Sequence, residues 1–142
     1  MLVSRMGTGD YTASTTALDS HANMIVVGKQ DFVFSHSGQS VDVKAFTAEV
    51  GGLYKVPIVD AVIAYDCPHI GDTLILVAMN DFCVLGMEHN ILPPFILRES
   101  GLVVNDRPKI YIDDPSVEYH SIFDVETRLR TPLRLSSILS VF

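Results

Sequence analysis

The chain is short of cysteine, of positive charge and of long apolar runs, and each shortage removes a class of protein. Cys67 and Cys83 are its only cysteines, with no CxxC and no Cys/His pair at zinc-finger spacing. A disulfide framework is therefore not expected, and both are read as ordinary buried or half-buried thiols. Lys and Arg number 10 against 17 Asp and Glu, a net charge of -7. That sign repels a phosphate backbone, so no direct nucleic-acid partner is expected. The longest apolar stretches, Leu74–Met79 and Ile58–Tyr65 (interrupted by Asp60), are far shorter than the roughly 18 to 20 residues of a spanning helix. No membrane span is expected. Met1–Asp10 carries neither the apolar segment of a secretory signal nor the Arg-rich amphipathy of a transit peptide, which points to a cytosolic, cytoplasmic location.

What is present is ample core material for one domain: 142 residues, 48% of them apolar, with a mean hydropathy of +0.30. From Thr15 onward the apolar residues come in short runs rich in Val, Ile, Leu, Phe and Tyr, separated by Gly, Pro, Asn and Asp. This pattern predicts a mostly β chain. The expected strands are Thr16–Leu18, Met24–Val27, Ser40–Phe46, Leu53–Val56, Val59–Tyr65, Thr73–Met79, Phe82–Leu85, Leu102–Val104 and Lys109–Ile112, with another near Leu133–Leu135. So many short strands imply a closed or folded-over sheet. Asp66–Asp72, with its Pro and Gly, should connect a core hairpin. One short helix is expected at Pro94–Ser100, with Pro in its first turn and Gly101 to end it, entered through a turn at Asn90–Pro94 because neither proline can donate to a ladder. Met1–Ser14 is small and polar enough to be loose, leaving 15–142 as the domain. The abrupt stop of the last apolar run at Phe142 is compatible with an excerpt from a longer open frame.

Chemistry concentrates in Thr15-Thr16-Ala17-Leu18-Asp19-Ser20-His21-Ala22-Asn23-Met24. Asp19 should emerge from the end of a small apolar strand into a tight loop, followed at once by a hydroxyl and an imidazole. Rigid strands with short loops are where reacting groups are placed. The same residues also suit a plain surface turn, since Asp and Ser bond to their own backbone.

Leu18-Asp19-Ser20-His21-Ala22 resembles the Asp-Thr/Ser-Gly-Ala signature of the retropepsins, the retroviral-type aspartic proteases. Three further segments follow in that family's order. Val50-Gly51-Gly52-Leu53-Tyr54-Lys55-Val56 is similar to a flap tip and its returning strand. Ile58–Met79 forms a strand, turn and strand. Val84-Leu85-Gly86, followed by Met87-Glu88-His89-Asn90-Ile91-Leu92, is similar to the family's apolar-apolar-Gly strand and the Asn-Leu segment before its helix. The protease segment of copia-type LTR retrotransposons, where Asp-Ser-His-Ala occurs, is closer still. The resemblance is strongest over 18–101; Leu102 to Phe142 reads only as generic strands.

The resemblance implies an all-β retropepsin-like closed or folded barrel protomer with one short helix toward its C-terminal side. It implies an aspartic endopeptidase in which two carboxylates share one proton, because like charges about 3 Å apart do not both ionise readily. No second copy of the motif occurs in the chain, since Asp72-Thr73-Leu74 runs into an apolar strand and Asp60-Ala61-Val62 has no hydroxyl neighbour. The partner acid must be Asp19 of another copy, making a homodimer with the dyad on its two-fold axis. Asp19 and Ser20 are then the catalytic pair, Ser20 bracing the two loops across the axis. His21, Ala22 and Asn23 would meet substrate, and Gly51 and Gly52 would let a flap backbone approach it. Val84, Leu85 and Gly86 would pack beside the catalytic loop, and Leu139, Val141 and Phe142 could supply an interface strand. The substrate would be the element's own gag-pol polyprotein, in the cytoplasm or within a virus-like particle, and no cofactor or metal is required. His21 stands where retropepsins carry Gly. A catalytically degenerate dimer module is therefore one alternative. A metal-dependent hydrolase built on Asp19 and His21, with His36, His69, His89 and His120 available, is another.

Overall fold

A computed structural model describes residues 2–6, 15–29, 31–44, 51–67, 71–107, 110, 112–114, 116–136 and 139–142. The chain is all-β with one short helix. In order, its elements are β1 (Leu2–Met6), β2 (Thr15–Leu18), β3 (Val26–Val27), β4 (Phe32–Lys44), β5 (Gly52–Cys67), β6 (Asp72–Cys83), β7 (His89–Leu92), α1 (Pro94–Glu99), β8 (Val103–Asp106), a single 3-10 turn (Val117–Tyr119), β9 (His120–Phe123), β10 (Arg130–Pro132), β11 (Arg134–Ser136) and β12 (Leu139–Val141).

Nine strands form one sheet in the order β11-β12-β2-β7-β3-β6-β5-β4, with β1 added to β6; β10, β9 and β8 form a second sheet. The expected closed or folded-over barrel is corrected here: among the described residues the large sheet is open. Its outermost strand β4 pairs only with β5 and slips register against it at three places, which bends the edge away from any closing partner. After α1 the chain builds the small sheet instead of returning to that edge.

The long hairpin comes from merging segments that read as separate strands. Pro57 looks like a break, yet β5 runs through it. Pairing with β6 ends at Ile58, so the missing N–H falls where β5 has only β4 beside it. Asn80-Asp81 looks like a turn, yet β6 runs through it, with Asn80 at a left-handed φ of 61° inside a register shift. The run expected to begin at Ser40 begins at Phe32. Leu2–Met6, in the segment read as loose, pairs with β6; of the strand expected at Lys109–Ile112, Lys109 and Tyr111 lie outside the described residues, and Ile110 and Ile112 are not in a strand.

Alternation along β5 and β6 fixes the core face: Val59, Ala61, Ile63, Leu76 and Ala78 are buried, and their sequence neighbours are not. This face packs with Leu92, Leu97, Leu102, Val104, Ile122 and Phe142 into one cluster drawn from both sheets and the helix. The helix ends as expected: Gly101 takes φ +88° and donates to Arg98 O, and Leu102 donates to Leu97 O, tying two buried leucines across the cap.

Candidate functional site

β2 lies between β12, which runs antiparallel to it, and β7, which runs parallel. It leads directly to Asp19, whose N–H donates to Leu92 O at 3.2 Å and extends the parallel ladder by one residue. There the chain turns. Ala22 N–H donates to Asp19 O at 3.3 Å, and His21 N–H donates to Asp19 Oδ1 at 2.9 Å. The short polar side chain of Asp closes such a turn on its own backbone. Its carboxyl remains 35% exposed, open to water and to a second molecule.

Around this carboxyl the loop gathers Ser20, His21 and Asn23, all exposed, and Ala22, half-buried. The His21 side chain is 95% exposed, its Nδ1 3.6 Å from Asp19 Oδ1 and 3.5 Å from Ser20 Oγ. Residues 19–23 thus come together through one turn. Gly51 and Gly52 belong to another element, the end of the β4–β5 arm, where Gly52 pairs with Lys44. Each needs to be glycine for the arm's own geometry: Gly51 takes φ +74°, and a Cβ on Gly52 would lie 2.9 Å from Val43 O.

Beneath the loop is a polar knot that the sequence reading assigned no role. Asn90, fully buried on β7, accepts from Gly28 N–H at 2.9 Å and donates through Nδ2 to Thr16 Oγ1 at 3.2 Å and to Asp31 Oδ1 at 3.0 Å. Asp31 Oδ2 also accepts from Gly28 N–H, at 3.2 Å. One amide therefore joins β2, β7 and the turn after β3. Gly28 is pressed so close that a Cβ would meet Met87 O at 2.7 Å. The available signal was a lone Asn inside an apolar segment, Asn90-Ile91-Leu92; Asp31 carried none. Nearby, Lys29 Nζ and Glu88 Oε1 meet at 3.0 Å, and that contact holds the Glu88 carboxyl below its usual range.

Two expectations are corrected. Val84–Gly86 are not packed together as expected: Val84 is half-buried, but Leu85, at 70%, and Gly86 are exposed on a turn tied down by Val84 N–H to Val27 O and Met87 N–H to Val84 O. The strand beside Asp19 is β7, ending in buried Leu92, because only a parallel neighbour of β2 presents its C-terminal end to that loop. Val141 and Phe142 are also committed within the chain. Phe142 exchanges two backbone hydrogen bonds with Thr16 at 3.0 Å and packs edge-to-face on Tyr65, with ring centroids 5.5 Å apart. Of the three proposed interface residues only Leu139 is exposed.

Among the described residues no three His, Cys, Asp or Glu side chains converge to hold a metal ion. His120 is buried with its Nε2 2.8 Å from Ser140 Oγ, bridging the two sheets, and His69 lies outside the described residues. Cys83 is buried as expected; burial first, and the charge of Asp31 second, push its thiol up, away from nucleophilic use. Of Cys67 only the backbone is described. Compared with family models, curated proteins and solved structures, the chain matches none.

Proposed function

We propose that the chain is one subunit of a homodimeric aspartic endopeptidase of the retropepsin type, acting on the gag-pol polyprotein of its own copia-type element. The observation that carries this reading is the setting of Asp19: a solvent-reached carboxyl on a tight loop at a strand end, anchored through its N–H to Leu92 O, in a chain with one such motif. A single carboxylate so placed lacks the second acid of a dyad, and a second copy supplies it.

In this reading the Asp19 pair holds one proton. The ionised member takes a proton from water as the water oxygen bonds to the peptide carbonyl carbon, while the other member gives its proton to the carbonyl oxygen. Collapse of the tetrahedral species breaks the C–N bond, the proton taken from water passes to the leaving nitrogen, and one hydroxyl of the tetrahedral carbon returns its proton to the other carboxylate as the C=O forms, which restores the singly protonated pair. Ser20 braces the two loops. The substrate lies extended as an added strand, held by His21, Ala22 and the amide of Asn23 and approached by the backbone at Gly51 and Gly52. The chemistry needs no metal or cofactor. A cytoplasmic site of action, or a virus-like particle, belongs to the same proposal.

One observation favours a second reading, a catalytically silent dimer module. His21 donates its N–H to Asp19 Oδ1 and stands its imidazole 3.6 Å from the same oxygen, so one of the two carboxylate oxygens already has neighbours within its own loop.

The deciding experiment is self-processing of a longer precursor. Asp19→Asn should stop cleavage while sedimentation still shows the dimer; continued cleavage excludes the dyad. A wild-type precursor that dimerises without cleaving, and gains cleavage on His21→Gly, would establish the silent module. Inhibition by a chelator but not by a statine-type compound would transfer the site to metal chemistry.

A further inference from the structure

β6 carries an acid for which the proposed chemistry has no use. Asp81 lies where β5 and β6 slip register, between the pairs Val59/Asp81 and Ala61/Ala78. The slip is made by Asn80, whose φ of 61° is a conformation Asn tolerates better than most residues, and whose N–H donates to Asp60 Oδ1 at 2.9 Å. This turn of the backbone leaves Asp81 2% exposed and its Oδ2 buried without a hydrogen-bond partner. An ionised oxygen in that position is costly, and taking up a proton removes the cost. Burial first, and the charge of Asp60 second, push Asp81 up to about 7.

The surroundings of Asp81 are defined on each side. β5 sets Val59 opposite it and Asp60 next to that; beyond β5, β4 places the exposed His36 against Val59. From β3 come the apolar Val26 and Val27, paired with Phe82 and Cys83. The titratable groups farther along that side are Cys83 and Asp31, which act on each other. Immediately after Asp81, Phe82 N–H donates to Ile25 O at 3.0 Å. Ile25 is where the chain returns from the Asp19 loop into the sheet.

We propose that the buried Asp81 carboxyl carries a proton in the folded chain below neutral pH, and that this proton is a latch on the return of the Asp19 loop, released as the medium turns alkaline. Loss of the proton leaves two negative charges across a step of the sheet, one of them buried, and strains the adjacent Phe82–Ile25 bond. The direction follows from linkage. Asp81 is raised from an ordinary 3.8 to about 7, so between those values the folded chain binds a proton that the unfolded chain does not. The stability this group contributes is full below about pH 4 and is lost as pH rises through about 7. The latch needs no catalysis; its use as a control on cleavage rests on the protease reading.

The test uses the full chain from pH 4 to 9 and three measurements: the carbon-13 shift of the Asp81 carboxyl, the unfolding constant in urea for wild type and Asp81→Asn, and the hydrogen-exchange protection factor of the Phe82 amide. The carboxyl should titrate near 7. The wild-type unfolding constant should rise by up to about tenfold per pH unit relative to Asp81→Asn between about pH 5 and 7. Phe82 protection should fall over the same window in wild type alone. An Asp81 midpoint in the ordinary carboxylate range, equal pH slopes for the two proteins, or flat Phe82 protection would each overturn the latch. If Asp81→Asn fails to fold, the wild-type carboxyl and amide measurements still decide. Asp19→Asn should leave all three readings unmoved, which separates failure of the latch from failure of the protease reading.

Discussion

The loop bearing Asp19 and the arm bearing Gly51 and Gly52 are both placed to handle substrate in the proposed reaction, yet they are held by opposite means. The loop springs from β2, flanked on both sides by strands, and below it the buried Asn90, Thr16 and Gly28 N–H and the half-buried Asp31 satisfy one another. The arm, past Ile58, has only β4 and β5 paired with each other, and its residues 51–55 are all exposed, Tyr54 at 79%. Its shape depends on backbone conformation, including the left-handed φ of Lys55, whose N–H donates to Asp42 Oδ1 at 2.9 Å. A reacting carboxyl needs fixed position and a buried polar knot supplies it; a segment that must approach a substrate needs few tertiary ties.

The contrast is broken most directly at Asn90. Asn90→Ala takes the amide from the buried Thr16 hydroxyl and leaves Gly28 N–H with Asp31 Oδ2 alone, and should lower stability by roughly 1–3 kcal/mol in urea unfolding, the cost of about one buried polar group left unsatisfied. A loss below about 1 kcal/mol would mean that packing around Leu92, and not the amide, anchors the loop. Gly51→Ala should cost about 1 kcal/mol, because nothing lies within 4 Å of the added methyl and only the positive φ is penalised. Its effect should be confined to faster hydrogen exchange in the arm; a globally unfolding variant would show the arm to be tied into the core. Leu85→Ser, on the exposed turn between β6 and β7, should change stability by less than about 0.5 kcal/mol. A larger loss would restore the expectation that this segment is packed.

Much of this fold was legible because hydrophobic alternation is local. The buried faces of β5 and β6, the Pro94 start and Gly101 end of α1, and the strand leading to Asp19 follow from residues a few positions apart. Punctuation by Pro57 and Asn80-Asp81 misled, because a residue that ends a strand in the middle of a sheet is tolerated at an arm or a bulge, and which of these it meets depends on the neighbouring strand. β7 was read as a turn for a related reason: Pro93 has no N–H to offer, but the strand stops at Leu92 and asks for none. The Asp19 loop could be located from its own residues, whereas Asn90, 74 positions from the hydroxyl it binds, has no local mark beyond being polar among apolar neighbours.

By itself the amino-acid sequence determined the class of the chain, the position of its helix and the single turn that presents an acid at the end of a short strand. These are set by side-chain size, by glycine and proline backbones and by a two-residue period. Which strand lies beside that acid, whether the sheet closes, and whether Phe142 faces a partner or the chain's own core were decided only by the tertiary structure. Pairing between distant strands is chosen by how well whole faces pack and how many buried polar groups can be satisfied at once, and neither quantity belongs to any one segment.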